Sequence, residues 1–341
     1  TVEGRHRPLP KISASTIAAA VTESLTSLLD DSHADIAKAA RAAASTYGIG
    51  TDPAELLAIV EADNPETAPD ALRLLATHPA KQKEAAKLAL ESKHEIIRAE
   101  ALRALASTDP KKFITIASAF LADENILESR AVFEGLGNLN HPDAGKILIT
   151  ALPAIRSMEI PAELRLDALE AARASKVPAV IKALAEYNAT PTKDDLIAYT
   201  GTLYGGNPVN GEDLFNNHIA AQCIRCHSTD AGGSTVGPNL GKIGAKDPRF
   251  LLESLVLPSK AIAPGYGLLS ITLKDGDSLA GTLMEQTPHA LTIRLADQST
   301  RKISRADIAT QTPPVSSMPP MNLLLTKKEL RDVLAYLQSL K

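Results

Sequence analysis

Apolar residues recur at helical spacing from about residue 13 to about residue 187, interrupted by short polar corners that carry proline. Residues 1–12, with Pro8 and Pro10, lack this rhythm and read as an N-terminal arm. Inside the periodic stretch one unit returns. Ala-Leu-Arg-Leu-Leu-Ala stands at 71–76, Ala-Leu-Arg-Ala-Leu-Ala at 101–106 and Ala-Val-Phe-Glu-Gly-Leu at 131–136, with starts 30 residues apart. Proline follows each, at Pro79, Pro110 and Pro142, and more divergent copies begin near Ala40 and at Ala168, the last closing at Pro178. A period near thirty with two helices per unit predicts an α-solenoid over residues 13–187, because one helix pair cannot bury its apolar face alone. Each proline ends one helix and opens the next. A non-repetitive bundle is the alternative, since the terminal copies match loosely. His78 and His141 each precede a corner proline and read as turn residues rather than ligands.

Beyond residue 187 the pattern changes. Residues 188–209, including Gly205-Gly206-Asn207-Pro208, read as a linker, and a second domain is expected over residues 210–341. Asn210 is the expected N-cap of its first helix, with Phe215, Ile219 and Gln222 on one face. Asp247-Pro248 opens another helix that runs to about Leu257. From about residue 266 to about residue 308 the period falls to two. Leu269, Ile271 and Leu273 alternate, Lys274-Asp275-Gly276-Asp277 turns the chain, and Leu279, Gly281, Leu283, then Leu291, Ile293, Leu295, then Arg301 to Ile303 follow. These predict short strands in a small antiparallel β insert, either a sheet or a barrel. Thr326-Lys327-Lys328-Glu329 has the form of a capping box opening a final helix with Leu330, Val333, Leu334, Leu337 and Leu340 on its apolar side.

Charge and composition narrow the function. A net charge of −4 over 341 residues lacks the basic excess that nucleic-acid binding asks for. No apolar run approaches a bilayer-spanning length, so no transmembrane segment is expected. Aromatic residues make up only 3% and Trp is absent, which suits helices packed through small residues.

The chemistry concentrates in Cys223-Ile224-Arg225-Cys226-His227, which contains the chain's only two cysteines. C-x-x-C-H is the attachment signature of a c-type haem, in which each thiol forms a thioether and the histidine becomes an axial ligand. A structural zinc site would need a second ligand pair, and neither His218 nor His227 supplies one at the usual spacing. A thioredoxin-like pair would want a βαβ context. One covalently bound haem c is therefore expected. Such attachment takes place outside the bacterial cytoplasm, so a periplasmic or otherwise exported protein is expected. TVEGRHRPLP itself has no signal-peptide pattern, which leads to the expectation of a mature chain or an excised piece of a longer one.

The repeats resemble short HEAT-type units. Gly211 and Phe215 before the C-I-R-C-H pentad, Gly237-Pro238-Asn239-Leu240 after it, and Tyr336 in the last helix are similar to class I cytochromes c. That resemblance implies crossed first and last helices, His227 as proximal ligand, and the Pro238 carbonyl as acceptor of the proximal imidazole's hydrogen bond. It places the distal methionine before the terminal helix. Of four methionines, Met158 is expected to pack in the repeats and Met284 lies in a strand-like run. Met318, in Ser316-Ser317-Met318-Pro319-Pro320-Met321, is the expected sixth ligand, with Met321 as the alternative. His227 and Met318 are 91 residues apart, and the β insert accounts for the excess over a minimal domain. Together with Pro258-Ser259-Lys260-Ala261-Ile262-Ala263-Pro264-Gly265-Tyr266, these motifs resemble the haem-binding domain family of planctomycete and verrucomicrobial type over about Gly211 to Leu340. Members of that family commonly carry preceding HEAT-like repeats, and many also carry a β-propeller resembling sugar dehydrogenases; no propeller sequence occurs here. The resemblance implies a mostly α protein: a HEAT-like solenoid followed by a class I cytochrome c-like domain with a β insert. It would be an electron-transfer protein rather than an enzyme, though the parent of an excised piece could be a dehydrogenase. It would relay single electrons from a periplasmic dehydrogenase donor to a cytochrome or oxidase acceptor. A haem enzyme or gas sensor with an open distal site is the alternative.

Overall fold

The computed structural model describes residues 24, 25, 27, 28, 31–47, 52–123, 125–190, 193–229, 232–234 and 236–341. The expected arm, residues 1–12, and the start of the periodic stretch lie outside the described residues. The chain is mostly helical with a small antiparallel sheet, and it divides between Thr190 and Pro191 into two units.

The first unit contains α1 (Ala34–Tyr47), α2 (Pro53–Glu61), α3 (Ala68–Leu74), α4 (Pro79–Ala89), α5 (Glu95–Thr108), α6 (Pro110–Ala122), α7 (Ile126–Asn138), α8 (Pro142–Arg156), α9 (Arg165–Ala174) and α10 (Pro178–Ala189). Proline occupies the first helical position of α2, α4, α6, α8 and α10, where its missing N–H costs nothing. Asp52 and Asp109 cap two of these starts through their carboxylates, and His141 caps another through Nδ1. The recurrent Ala-Leu units fall on α3, α5 and α7, and these pack in succession, α3 on α5, α5 on α7 and α7 on α9. On the other layer α2 packs on α4, α6 on α8 and α8 on α10. Buried alanines such as Ala71, Ala101, Ala131 and Ala168 sit at the successive contacts and let the helices approach closely.

Ion pairs step along the same path: Arg41 to Asp70 at 3.5 Å, Arg73 to Glu100 at 3.7 Å, Arg103 to Glu134 at 2.9 Å and Arg130 to Asp167 at 3.3 Å. Arg98 to Glu128 is different in kind, because the Glu128 side chain is only 1% exposed. Met158 is not a packing residue. It is 72% exposed in a left-handed turn after α8, where φ is 64°.

The second unit contains α11 (Pro208–Asn217), α12 (Pro248–Val256) and α13 (Lys327–Ser339), with strands β1 (Ser228–Thr229), β2 (Gly232–Gly233), β3 (Gly267–Leu273), β4 (Ser278–Gln286), β5 (Ala290–Arg294), β6 (Thr300–Ser304), β7 (Ile308–Gln311) and β8 (Val315–Ser316). The N-cap of α11 is Asn207, not Asn210. The Asn207 side chain accepts from the Val209 and Asn210 amides, and Pro208 takes the first helical position. The helix ends at Asn217, so Ile219 lies beyond it and is 87% exposed rather than facing inward with Phe215.

Residues 193–209, expected as linker, are largely built into this unit. A short 3-10 helix, Ile197–Thr202, buries Thr202, and Leu196 beside it is also buried. Lys327 donates to the Ala198 carbonyl, Gln338 to the Leu203 carbonyl, and Asn322 to the Tyr199 hydroxyl. The apolar residues here are too few to show a period, and the neighbouring Gly and Pro imitate a linker.

Helices α11 and α13 pack closely because Gly211 has no side chain: a Cβ there would overlap the Asp332 carbonyl oxygen. One turn on, Phe215 and Tyr336 meet with ring centroids 5.4 Å apart, tilted by 53°. The sheet runs β6-β5-β4-β3-β7, all antiparallel, with β8 also pairing β3. The path ends at β6 and at β7, so the insert is an open sheet. Leu269, Ile271, Leu273, Leu291, Ile293 and Ile303 form its own small core.

Candidate functional site

The C-x-x-C-H pentad follows a backbone reversal that its residue types do not announce. Gln222 adopts φ 45°, a left-handed conformation unusual for a side chain of this size. It caps a 3-10 turn, Cys223–Arg225, in which the Cys226 and His227 amides both donate to the Cys223 carbonyl. The turn gathers two thiols and an imidazole within five residues. Neither cysteine is in a disulfide; Cys223 is half-buried and Cys226 exposed. Burial, with the neighbouring Cys226 adding to it, pushes the Cys223 thiol above the ordinary value.

The chain then folds back over the pentad. Ser234 N–H donates to the His227 carbonyl, Gly237 N–H to Cys226 and Leu240 N–H to Ser228. This return brings the Pro238 carbonyl 2.9 Å from His227 Nδ1. A carbonyl only accepts, so in the neutral imidazole Nδ1 carries the proton and Nε2 keeps its lone pair. Gly237 lies against the same ring, where a Cβ would stand 3.0 Å from Nδ1 and Cε1.

A cavity of about 530 Å³ opens beside these groups. That volume is within the range of about 300–1,000 Å³ typical of cofactor and small-ligand sites. Cys223, Cys226, His227, Pro238, Met318 and Met321 all line it, so the structure brings together every site residue expected from the sequence. Its walls are mainly apolar, from Leu240 and Ile243 in the return loop, Leu251 and Leu255 on α12, and Val333 and Leu337 on α13. Lys246 is the one side chain with a permanent charge among the lining residues.

The two methionines differ. Met321 is 3% exposed and packed in the unit's core with Leu252, Leu325 and Leu330. Met318 is half-buried at the edge of that core, two residues after the end of β8 at Ser316. Met284 lies on β4, is 37% exposed, and does not line this cavity. Among the described residues, no three or more His, Cys, Asp or Glu side chains cluster to hold a bare metal ion.

The protein-family models and the curated proteins contain no match to this chain. The site therefore stands on its own geometry. No helix among the described residues is long and apolar enough to cross a membrane.

Three features of the site escaped the sequence reading. Gln222 gave no signal, because Gln is not a residue type that favours the left-handed region. The close approach of Gly237 to the imidazole depends on the return loop. The third is Ser316, whose hydroxyl accepts the Met318 amide at 3.1 Å. A serine two residues before the bonded amide is a recognisable local turn pattern and could have been found.

Proposed function

We propose that this protein is a monohaem c-type cytochrome that relays single electrons. On this reading the second unit is a class I cytochrome c-like domain of the planctomycete and verrucomicrobial haem-binding type, and the first is a HEAT-like α-solenoid that serves as scaffold or docking surface. The observation that carries it is one cavity lined by Cys223, Cys226 and His227 on one side of the sequence and Met318 on the other, 91 residues apart.

The residues present fit such a group. Two cysteines in a C-x-x-C turn, neither tied up in a disulfide, could each form a thioether, and the apolar walls suit a porphyrin face. A haem bound there would supply one-electron chemistry at its iron. The Pro238 carbonyl orients the His227 ring and leaves Nε2 available as an axial ligand, raising its basicity. Met318 rather than Met321 is the distal ligand on this reading, because Met321 is already committed to core packing. The apolar α12 and α13 walls would give the group low-polarity surroundings, which together with a thioether ligand would favour the reduced state. A haem held by both His227 and Met318 would leave no place for a substrate at its iron. Partners would then be redox proteins, a dehydrogenase donor and a cytochrome or oxidase acceptor, in the periplasm or otherwise outside the cytoplasm. The repeat-to-repeat packing of α3, α5, α7 and α9 supports the solenoid reading.

The test is an optical and near-infrared spectrum of the purified protein, oxidised and reduced. A covalently held haem is expected, with a thioether-to-iron charge-transfer band that Met318→Ala abolishes and Met321→Ala keeps. A high-spin oxidised spectrum that responds to cyanide would instead identify an open iron and a sensor or enzyme. Absence of covalent haem would overturn the reading.

A further inference from the structure

The β insert could be a passive elaboration of the loop between α12 and the methionine segment. Its hydrogen bonds say otherwise. Strand β8 returns to β3, pairing Val315 with Leu268 and Ser316 with Gly267. Gly267 permits this close approach, since a Cβ there would press on the Pro314 ring at 3.0 Å. From the turn after α12, the Ser259 hydroxyl accepts the Ser316 amide at 3.1 Å, and the Ser316 hydroxyl in turn accepts the Met318 amide at 3.1 Å. The segment is bounded by Pro313-Pro314 and Pro319-Pro320, whose φ angles are fixed by their rings. The freedom left in the intervening residues is restrained by these two serine contacts and one strand pairing.

We propose that the sheet is the positioning device for Met318, acting through Ser259 and Ser316 as positioning residues. This rests on the reading of Met318 as a thioether ligand. A thioether binds iron weakly, so the ligand must be held in place by its supports rather than by its own affinity. The sheet gives the loop a rigid base, and the two hydroxyls carry that rigidity in series to the Met318 backbone. The insert between the two axial ligands is thereby part of the site.

The test compares the wild type with Ser316→Ala, Ser259→Ala, the Ser259→Ala/Ser316→Ala double variant and Ser316→Thr in the full chain. Amide hydrogen exchange at Met318 reports on the loop whether or not haem is bound, and it should quicken in Ser316→Ala and be restored in Ser316→Thr. In the haem-loaded protein, Ser316→Ala should weaken the thioether charge-transfer band. It should also bind carbon monoxide on the order of five-fold more tightly in the reduced state, as loss of one hydrogen bond of about 1 kcal/mol implies. Ser259→Ala should move all three readouts the same way by less, and the double variant should be less than additive because the contacts act in series. Unchanged exchange and an unchanged band in Ser316→Ala and Ser259→Ala would overturn the positioning role while leaving the electron-relay reading intact. A wild type without covalent haem would overturn the relay reading, and the exchange data would still decide whether the serines hold the loop.

Discussion

His227 Nδ1 donates to the Pro238 carbonyl at 2.9 Å, and the small residue before that proline, Gly237, is what lets the carbonyl come so near. The imidazole is thus fixed in one tautomer by a backbone group that cannot itself titrate. Nitrogen-15 shifts of the neutral His227 imidazole in protein prepared without haem should place its proton on Nδ1 rather than Nε2. Gly237→Ala places a methyl against the ring and should shift this equilibrium. In cells equipped for haem attachment, it should also lower the yield of haem-loaded protein several-fold, read by absorbance per polypeptide.

Gly211→Ala tests the helix crossing. By intrinsic propensity alone an Ala for Gly replacement in a helix stabilises by about 1 kcal/mol. Here the added Cβ would overlap the Asp332 carbonyl and crowd Tyr336, so the sign should reverse. Overpacking of this kind typically costs about 1–3 kcal/mol. Chemical denaturation followed by the signal of the second unit should give a lower midpoint than wild type.

Arg98 on α5 and Glu128 on α7 form the most buried ion pair among the described residues, with Arg98 Nε 2.6 Å from Glu128 Oε1. Arg98→Ala leaves the buried carboxylate without its partner and should destabilise the first unit by about 3–5 kcal/mol. Lys146→Ala removes an exposed pair with Asp143 and should cost about 1 kcal/mol or less. Urea unfolding monitored by circular dichroism separates the two.

Glu329 gives a pH prediction. The Thr326 backbone amide donates to its carboxylate at 2.7 Å and the Thr326 hydroxyl at 2.8 Å, and these bonds hold its pKa below the ordinary 4.5. The nearby His218 contributes in the same direction. Since the folded value is depressed, the stabilisation is present above 4.5 and is lost as pH falls through the folded pKa. Between neutral pH and about pH 3, Glu329→Gln should lose less stability than wild type, as denaturant midpoints would show. Thr326→Ala should cost about 1 kcal/mol at neutral pH through loss of the cap.

What the sequence determined by itself is local. The prolines at 79, 110, 142 and 178 mark helix starts, the Thr326–Glu329 box and the Asp247 cap stand where expected, and the period-two run becomes strands β3 to β6. Each of these is written within a few residues, by a fixed φ, a capping side chain or an alternation that one face must bury. Its errors were local ambiguities. Asn207 and Asn210 are both acceptable caps, and the stretch holding Leu196, Tyr199 and Leu203 is too short to show a period. Tertiary structure alone decided that the return loop, α12, the methionine segment and α13 surround one cavity with the pentad. It also decided which methionine is spent on the core and that β8 rejoins β3. Those outcomes depend on contacts between residues tens of positions apart, whose free energy is settled by the packing of the whole unit and leaves no trace in any short window of sequence.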